Sequence, residues 1–210
     1  MIALFFEVQT RPSHRDQYLN LAASLRPALD AIGGCLFIDR FSSLTRENLL
    51  LSYQIWQDEG AMTAWRVHGY HHEVQTVGRE KVFSDYRIRI AQVIHEERPG
   101  QPVWQLERRT PYNDPSRRPP TFVLVAESKH AELPVTSEWK RDAFSSVYRD
   151  GTFAHLIDLP DQPSGVELGR RLLTDSTTEY FRIVEVMRDY GMYDRTEAPQ
   201  YYPPVERDTA

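Results

Sequence analysis

Residues 56–94 read WQDEGAMTAWRVHGYHHEVQTVGREKVFSDYRIRIAQVI and combine several signals of local structure. An apolar strand ends at Trp56, and Asp58 can cap the helix that follows, because its carboxylate accepts hydrogen bonds from the free N–H groups of a helix start. The helix carries Trp65 and leads into a histidine-rich stretch. An alternating strand, Tyr86–Val93, closes the segment. The order predicts a strand, a helix and a second strand.

Composition limits the class of protein. The chain has 210 residues, 40% of them hydrophobic, so it can bury a core. A net charge of −5 argues against a nucleic-acid-binding surface, which is usually basic. Cys35 is the single cysteine and cannot form an intrachain disulfide. The N-terminus has no basic region before its apolar run, and no stretch is apolar enough for a membrane span. We expect a cytoplasmic protein without membrane or nucleic-acid partners.

The chain upstream of this segment begins with a strand and a helix. Ile2–Thr10 alternates as a strand does, and a helix is predicted to start at Ser13. Pro27 lacks a backbone donor, so we expect a break in the helix near Arg26. Gly33 and the glycine after it end the helix.

Further strands and a second helix complete the first domain, residues 1–96. The predicted elements are strands Cys35–Leu44 and Asn48–Trp56, a helical stretch over 59–82 that breaks near Gly69 or Gly78, and strand Ser84–His95. This β-α-β-β-α-β order is that of a ferredoxin-like unit.

The second half of the chain echoes the first. Residues 97–120 are rich in proline and arginine and predict a linker. Residues 121–194 then give a strand, a hairpin at Asp150-Gly151, a helix over Ser164–Leu173 and a last strand from Tyr180, but no clear first helix. We therefore predict an α+β fold of two tandem ferredoxin-like units, the second degenerate, with an extended tail over 195–210.

Strand alternation divides the side chains of the first sheet into two predicted faces. The helix-facing set is Leu4, Phe6, Val8, Leu51, Tyr53, Ile55, Tyr86, Ile88 and Ile90. The opposite set is Phe5, Glu7, Phe37, Asp39, Gln54, Trp56, Arg87, Arg89 and Val93. The second set is too apolar to face water and too charged for an ordinary core. A second sheet over it would bury the aromatics and pair Arg87 and Arg89 with Glu7 or Asp39.

The first domain resembles the antibiotic biosynthesis monooxygenase (ABM) family. The resemblance rests on the pattern W-x-D-E-x-A-x-x-x-W-R from Trp56 to Arg66, a histidine some residues later, Gly78-Arg79, and F-x-x-Y-R-I-R from Phe83 to Arg89. It implies an α+β barrel made of two sheets packed face to face, usually from two chains. Here the second half can supply the partner sheet, or a homodimer can form, with the tyrosine-rich tail wrapping a neighbour.

The resemblance also implies an activity and a site. Such an oxygenase inserts oxygen from O2 into a small electron-rich aromatic metabolite without flavin or metal. A base forms the substrate anion, and other groups hold it. Trp65 stands where the family has its pocket tryptophan, and Tyr53, on the predicted helix-facing side of its strand, can line the same pocket. His72 matches the family's frequent histidine and His71 lies close to a tyrosine position of the anthrone oxygenases, so His71 or His72 is the candidate base. Arg87 and Arg89 can stabilise an oxyanion, since the anthrone oxygenases use an arginine on this strand. One position departs from the family's pattern, because Ala61 stands where the oxygenases have an asparagine.

Each candidate also has a structural interpretation. Trp65 and Tyr53 can be core residues, His71 and His72 the polar end of a helix, and Arg87 and Arg89 members of structural ion pairs. Two further possibilities fit poorly. Haem degradation would place an asparagine and a histidine where the chain has Glu7 and Gln75. A metal site of His68, His71 and His72 lacks a fourth ligand. The alternative from another class is a non-catalytic barrel that binds a small ligand or serves in assembly.

Overall fold

A computed structural model describes residues 1–107, 120–135 and 139–205, so most of the predicted linker lies outside the described residues. The chain divides into two compact units. Unit 1 comprises Met1–Asp39, Asn48–Ile90 and Arg188–Ala210, and unit 2 comprises Arg40–Glu47 and Ala91–Met187. Strands and helices are both present, and the predicted α+β class is confirmed.

Unit 1 has the predicted β-α-β-β-α-β order. Its elements are β1 (Ile2–Thr10), α1 (Arg15–Ser24), α2 (Arg26–Ile32), β2 (Cys35–Ser43), β3 (Leu49–Trp56), α3 (Glu59–Arg66), α4 (Gly69–Val77), a π-helical turn (Gly78–Val82) and the first part of β4 (Phe83–Glu97). Strand β1 lies between β4 and β3, and β3 pairs with β2. The sheet order β4-β1-β3-β2 is that of a ferredoxin-like unit.

The first helical stretch breaks where proline predicts it. Leu25 joins α1 to α2, and Pro27 lies in the first turn of α2. An N–H group there would have no acceptor within the helix, so proline removes no helical hydrogen bond. Gly33 ends α2 with a φ of 74°, a left-handed conformation that glycine adopts without strain. The predicted helix start at Ser13 is wrong: His14 is the residue before α1, and Ser13 itself has a φ of 65°.

The second helical stretch is capped and broken as expected. The carboxylate of Asp58 accepts a hydrogen bond from the Ala61 N–H at 2.8 Å, which satisfies a free donor at the start of α3. Val67 and His68 separate α3 from α4, next to Gly69. At Gly78 the helix changes to the π-helical turn, which leads directly into β4.

The predicted faces of β3 are wrong by one residue. In the antiparallel pair of β1 and β3, Phe5 lies opposite Tyr53 and Leu4 lies opposite Gln54. Phe6 contacts Tyr18 of α1, so the Phe6 side of the sheet faces the helices and Tyr53 lies on the other side. Because side chains alternate, Gln54 and Trp56 lie on the helix-facing side, whereas Leu51 and Ile55 lie on the opposite side.

Unit 2 repeats the strand order without the first helix. Its elements are the end of β2, the second part of β4, β5 (Trp104–Gln105), β6 (Phe122–Ser128), β7 (Arg141–Ser146), β8 (Phe153–Leu159), α5 (Gln162–Leu173) and most of β9 (Thr178–Gly191). Strands β7, β8, β6 and β9 are neighbours in that order. Among residues 129–135 and 139–140, which link β6 to β7, the structure describes no helix.

Helix α5 packs closely on the sheet of unit 2. A Cβ built on Gly169 would lie 2.3 Å from the Phe181 ring, and one built on Gly165 would lie 2.3 Å from Leu159 Cδ1. The apolar core of this unit includes Leu168, Leu172 and Phe181. Within the described ranges, no helix is long and apolar enough to cross a bilayer.

Candidate functional site

An aromatic cluster covers the helix-facing side of the unit 1 sheet. Phe6 meets the rings of Tyr18, Phe83 and Tyr86 edge to face, with centroids 5.6–6.4 Å apart. Tyr18 comes from α1, whereas the others stand on β1 and β4. Such edge-to-face pairs fix ring positions and leave the wall of the sheet rigid and apolar.

The helices do not close over the centre of this face. Leu4, Phe6 and Ile88 are only half-buried, although they lie on strands whose flanking residues are buried. Central apolar side chains of a helix-covered sheet are normally buried, so the partial exposure of these three indicates that part of this face is left uncovered. We call the surface formed by Leu4, Phe6, Phe83, Tyr86 and Ile88 the aromatic recess.

A short polar ladder lies on the same face of the sheet. Trp56 Nε1 donates to Gln54 Oε1 at 2.9 Å, and Gln54 Nε2 donates to Ser52 Oγ at 3.2 Å. All three side chains are buried, and the Trp56 N–H and one Gln54 N–H are satisfied within the ladder. Because Gln54 pairs with Leu4 across the sheet, the ladder runs beside the aromatic recess.

Trp65 and His71 form a stacked pair. The Trp65 ring is buried, and the His71 ring lies on it at 4.3 Å between centroids with a 16° angle between planes. His71 Nδ1 lies 2.9 Å from the backbone oxygen of Trp65. A carbonyl oxygen only accepts, so Nδ1 carries the proton and Nε2 keeps its lone pair.

The environment of His71 keeps its imidazole neutral. Burial has the largest effect on the pKa of His71 and lowers it, the hydrogen bond to Trp65 opposes this, and the nearby His68 and His72 rings lower it too, so that the pKa is about 4. At neutral pH the ring therefore has a free Nε2 lone pair. This is the arrangement that a proton acceptor requires.

His72 lies in a different environment, against the C-terminal tail. Its ring stacks on Tyr202 at 5.4 Å, and its Nδ1 lies 3.1 Å from the Tyr202 hydroxyl. That hydroxyl donates to Gln75 Oε1 at 2.6 Å, so it accepts from the His72 ring. Burial raises the pKa of Tyr202 to about 12, and the neighbouring Tyr86 adds to the effect, so the hydroxyl stays protonated at neutral pH.

Two arginines converge on the hydroxyl of Tyr86 at the edge of the aromatic recess. Arg79, in the π-helical turn, donates to it at 2.5 Å, and Arg195, in the tail, donates at 2.8 Å. Arg79 is only 4% exposed. The Tyr202 ring lies against both guanidiniums, 4.8 Å from that of Arg79 and 5.3 Å from that of Arg195. Tyr202 thus connects His72 to the recess.

The other predicted site residues lie elsewhere. Arg89 and Glu7 are buried on the face opposite the recess, where Nη2 meets Oε1 at 2.9 Å and the guanidinium lies over Phe5. Tyr53 stacks on Phe5 on that same face. Arg87 forms a bidentate pair with Asp189, at 2.6 and 2.9 Å. The structure therefore brings Trp65 and His71 together and places Tyr53, Arg87 and Arg89 away from them.

Sequence reasoning missed the polar ladder and the arginine pair. The signal for Arg79 was present in the Gly78-Arg79 step, but nothing in the sequence indicates that a π-helical turn directs this side chain inward. Arg195 is remote in sequence from Arg79, so only the folded tail brings the two together. Among the described residues, no three His, Cys, Asp or Glu side chains are grouped as a metal ion would require.

The comparisons with known proteins agree with the motif. The family model described as antibiotic biosynthesis monooxygenase matches residues 1–77. A protein named jasmonate monooxygenase ABM, from Pyricularia oryzae, is 31% identical over 226 residues that cover 98% of this chain and 100% of that protein.

Solved structures give weaker matches. A conserved protein from Methanosarcina mazei Go1 is 21% identical, with a TM-score of 0.40, over 42% of this chain and 88% of its own. A proposed monooxygenase from Lactobacillus acidophilus NCFM is 8% identical, with a TM-score of 0.43, over 88% of this chain and 92% of its own.

Proposed function

Because this chain belongs to the antibiotic biosynthesis monooxygenase family, we propose that it is a monooxygenase that oxidises a small apolar metabolite in the aromatic recess of unit 1. The observation that carries the proposal is a neutral histidine, His71, stacked on Trp65 in the helical layer of the same unit. The recess offers an apolar, aromatic wall of the kind that binds small ligands.

The substrate that fits this chemistry best is an electron-rich aromatic with an acidic C–H group, such as an anthrone. His71 Nε2 takes a proton from the activated carbon, and a carbanion forms. The carbanion passes an electron to O2, the carbon–oxygen bond forms, and loss of water leaves a carbonyl group. A CH2 group and O2 thus become C=O and water, so the substrate supplies all the electrons. The developing anion favours the imidazolium that forms beside it, which compensates for the low pKa of His71.

Residues of the unit have supporting roles in this scheme. Trp65 holds the His71 ring in place through stacking and through its backbone oxygen, which fixes the tautomer. The polar ladder of Ser52, Gln54 and Trp56 gives the recess a hydrogen-bonding side. The apolar lining strengthens both effects once a substrate fills the recess, since less water then screens the base and the anion.

The full-length relative supports a second candidate. The name of that relative gives jasmonate as its substrate, and jasmonate is a carboxylate rather than an aromatic compound. Hydroxylation of an unactivated C–H bond by O2 consumes two further electrons, so that reaction needs an added two-electron reductant such as a nicotinamide. The dependence on reductant therefore separates the two candidates.

Oxygen uptake by the purified, full-length protein tests the proposal. We expect uptake with an anthrone in the absence of reductant, and a loss of kcat of about 10²-fold or more in His71→Gln, as is typical for removal of a general base. His130→Gln, whose exposed ring lies in unit 2, is the matched control and keeps full activity. Uptake with jasmonate and only with NADPH would favour the second candidate. No uptake with either substrate would favour a ligand-binding protein.

A further inference from the structure

The paired arginines at Tyr86 carry more positive charge than their surroundings neutralise. Among the described residues, neither Arg79 nor Arg195 forms an ion pair with a carboxylate. Their remaining partners are the backbone oxygens of Pro203, Gly191 and Gln200. Buried charges are nearly always paired with an opposite charge, because desolvation is costly. Within the part of the chain that the structure describes, the two guanidiniums therefore share a hydroxyl and backbone oxygens rather than a carboxylate, which leaves a local excess of positive charge.

Each arginine is held in place by a different element. Arg79 lies in the π-helical turn, a kind of irregularity that recurs at functional sites, and it is buried against Tyr86 and Tyr202. Arg195 follows β9 and is fixed by three acceptors: the Tyr86 hydroxyl, Gly191 O and Gln200 O. The C-terminal tail thus supplies half of the pair, and its Tyr202 forms a wall above both guanidiniums.

The position of the pair relates it to the aromatic recess. The Tyr86 ring contacts both Phe6 and Phe83, while its hydroxyl receives the two arginines. Tyr86 therefore contacts an apolar surface with its ring and a cationic one with its hydroxyl. A ligand that matches both surfaces has an apolar body and a single anionic group.

We propose that Arg79 and Arg195 bind the carboxylate of a small apolar organic acid whose hydrocarbon part lies in the aromatic recess. A carboxylate fits because guanidinium groups bind its two oxygens in a planar, charge-assisted arrangement. The inference rests on the proposed function, since it concerns the same site, and it favours a carboxylate substrate, the second candidate, over a neutral anthrone. Tyr86 positions the two guanidiniums and separates them from the apolar body.

Binding in the absence of oxygen tests this inference separately from turnover. Calorimetry under anaerobic conditions compares jasmonate with methyl jasmonate, and 2-naphthoate with 2-naphthamide, so that each pair shares its hydrocarbon part and differs in one group, which is charged in the acid and neutral in its partner. We expect each carboxylate to bind about tenfold more tightly than its neutral partner, as charge-assisted hydrogen bonds imply. Inorganic phosphate serves as the probe for a simple anion site.

Variants locate the charge that the ligand recognises. Arg195→Gln is expected to reduce carboxylate affinity about tenfold and leave affinity for the neutral partners unchanged, whereas Arg195→Lys keeps part of the preference. Arg26→Gln, which removes an exposed arginine of α2, is the matched control. Since Arg79 is buried, its variant can fail to fold, and the half-buried Arg195 then carries the test.

Three results would overturn the inference: equal affinity for acid and neutral partner in the wild type, an unchanged preference in Arg195→Gln, or phosphate that binds more tightly than either carboxylate. Carboxylate binding without oxygen uptake would support the site and contradict only the proposed oxygenase. Oxygen uptake with a neutral anthrone and no carboxylate preference would support the proposed oxygenase and contradict the carboxylate site.

Discussion

The guanidinium of Arg89 is bound to the carboxylate of Glu7, with Nη2 2.9 Å from Oε1 and both side chains buried. Arg89 also lies over the ring of Phe5, on the face of the unit 1 sheet opposite the aromatic recess. The sequence predicted this pair as one of its alternatives. Its position on that face, beside the stacked rings of Tyr53 and Phe5, favours the structural interpretation of Arg89.

Removing one partner of this pair should destabilise the protein strongly. Arg89→Met leaves the Glu7 carboxylate buried without its cation, and we expect a loss of about 3–5 kcal/mol in the free energy of unfolding. Glu7→Leu combined with Arg89→Met should cost much less, since no charge then stays buried alone. Urea denaturation measures both. Additive losses in the double variant would contradict the expected coupling.

Close packing of α5 predicts a sensitive glycine. Gly169→Ala would place a Cβ 2.3–2.5 Å from three atoms of the Phe181 ring, so the helix or the ring must move. We expect a loss of about 1–3 kcal/mol, the usual cost of overpacking. Gly69→Ala is the matched control, because a Cβ there meets no atom within 4 Å. Its stability should stay equal or rise slightly. Thermal unfolding that ranks the two variants in the opposite order would be inconsistent with this packing.

A buried histidine in unit 2 predicts how stability depends on pH. Burial lowers the pKa of His155, the hydrogen bond to the His130 backbone opposes this, and the charge of Arg141 lowers it too, so that the pKa is about 4. In the unfolded chain the ring titrates near pH 6.5, so between these values the unfolded state binds more protons and stability falls as pH falls. The loss amounts to at most about 3 kcal/mol. In His155→Gln the dependence between pH 6.5 and 4 should be shallower, as measured by denaturation at several pH values. An unchanged slope would mean that the ring protonates in the folded state.

The attachment of the tail depends on Tyr202. Tyr202→Ala removes the hydrogen bonds to Gln75 and His72 and the ring above Arg79 and Arg195. We expect hydrogen exchange of the described tail amides to rise about tenfold or more, since about one kcal/mol is lost per hydrogen bond. Tyr201→Ala is the control, because the Tyr201 side chain is 81% exposed. Equal exchange in the two variants would show that other contacts hold the tail.

His71 supports a further prediction on the stacked pair. Trp65→Leu removes the ring on which His71 lies but keeps the backbone oxygen that fixes its tautomer. We therefore expect oxygen uptake to fall through a lower kcat by about tenfold, less than in His71→Gln, because the base is kept but less well positioned. Steady-state kinetics measures both variants. A larger loss in Trp65→Leu than in His71→Gln would assign the base to another group.

The elements of unit 1 and the family could be predicted from the amino-acid sequence. Alternation, Pro27, Gly33 and Asp58 act within a few residues of chain, so their effects on strands, helix breaks and caps could be predicted locally. The motif from Trp56 to Arg89 led to the family to which the chain belongs. The histidines as candidates followed from their chemistry alone.

Which side chains meet could not be predicted from local patterns and is seen in the folded chain. Every residue of β3 is buried, so the strand has no polar face to reveal its orientation, and the register with β1 placed Gln54 rather than Tyr53 toward the helices. Arg79 and Arg195 come together because a π-helical turn directs one inward and the tail returns with the other. Such contacts join residues far apart in the chain, and no local pattern encodes them.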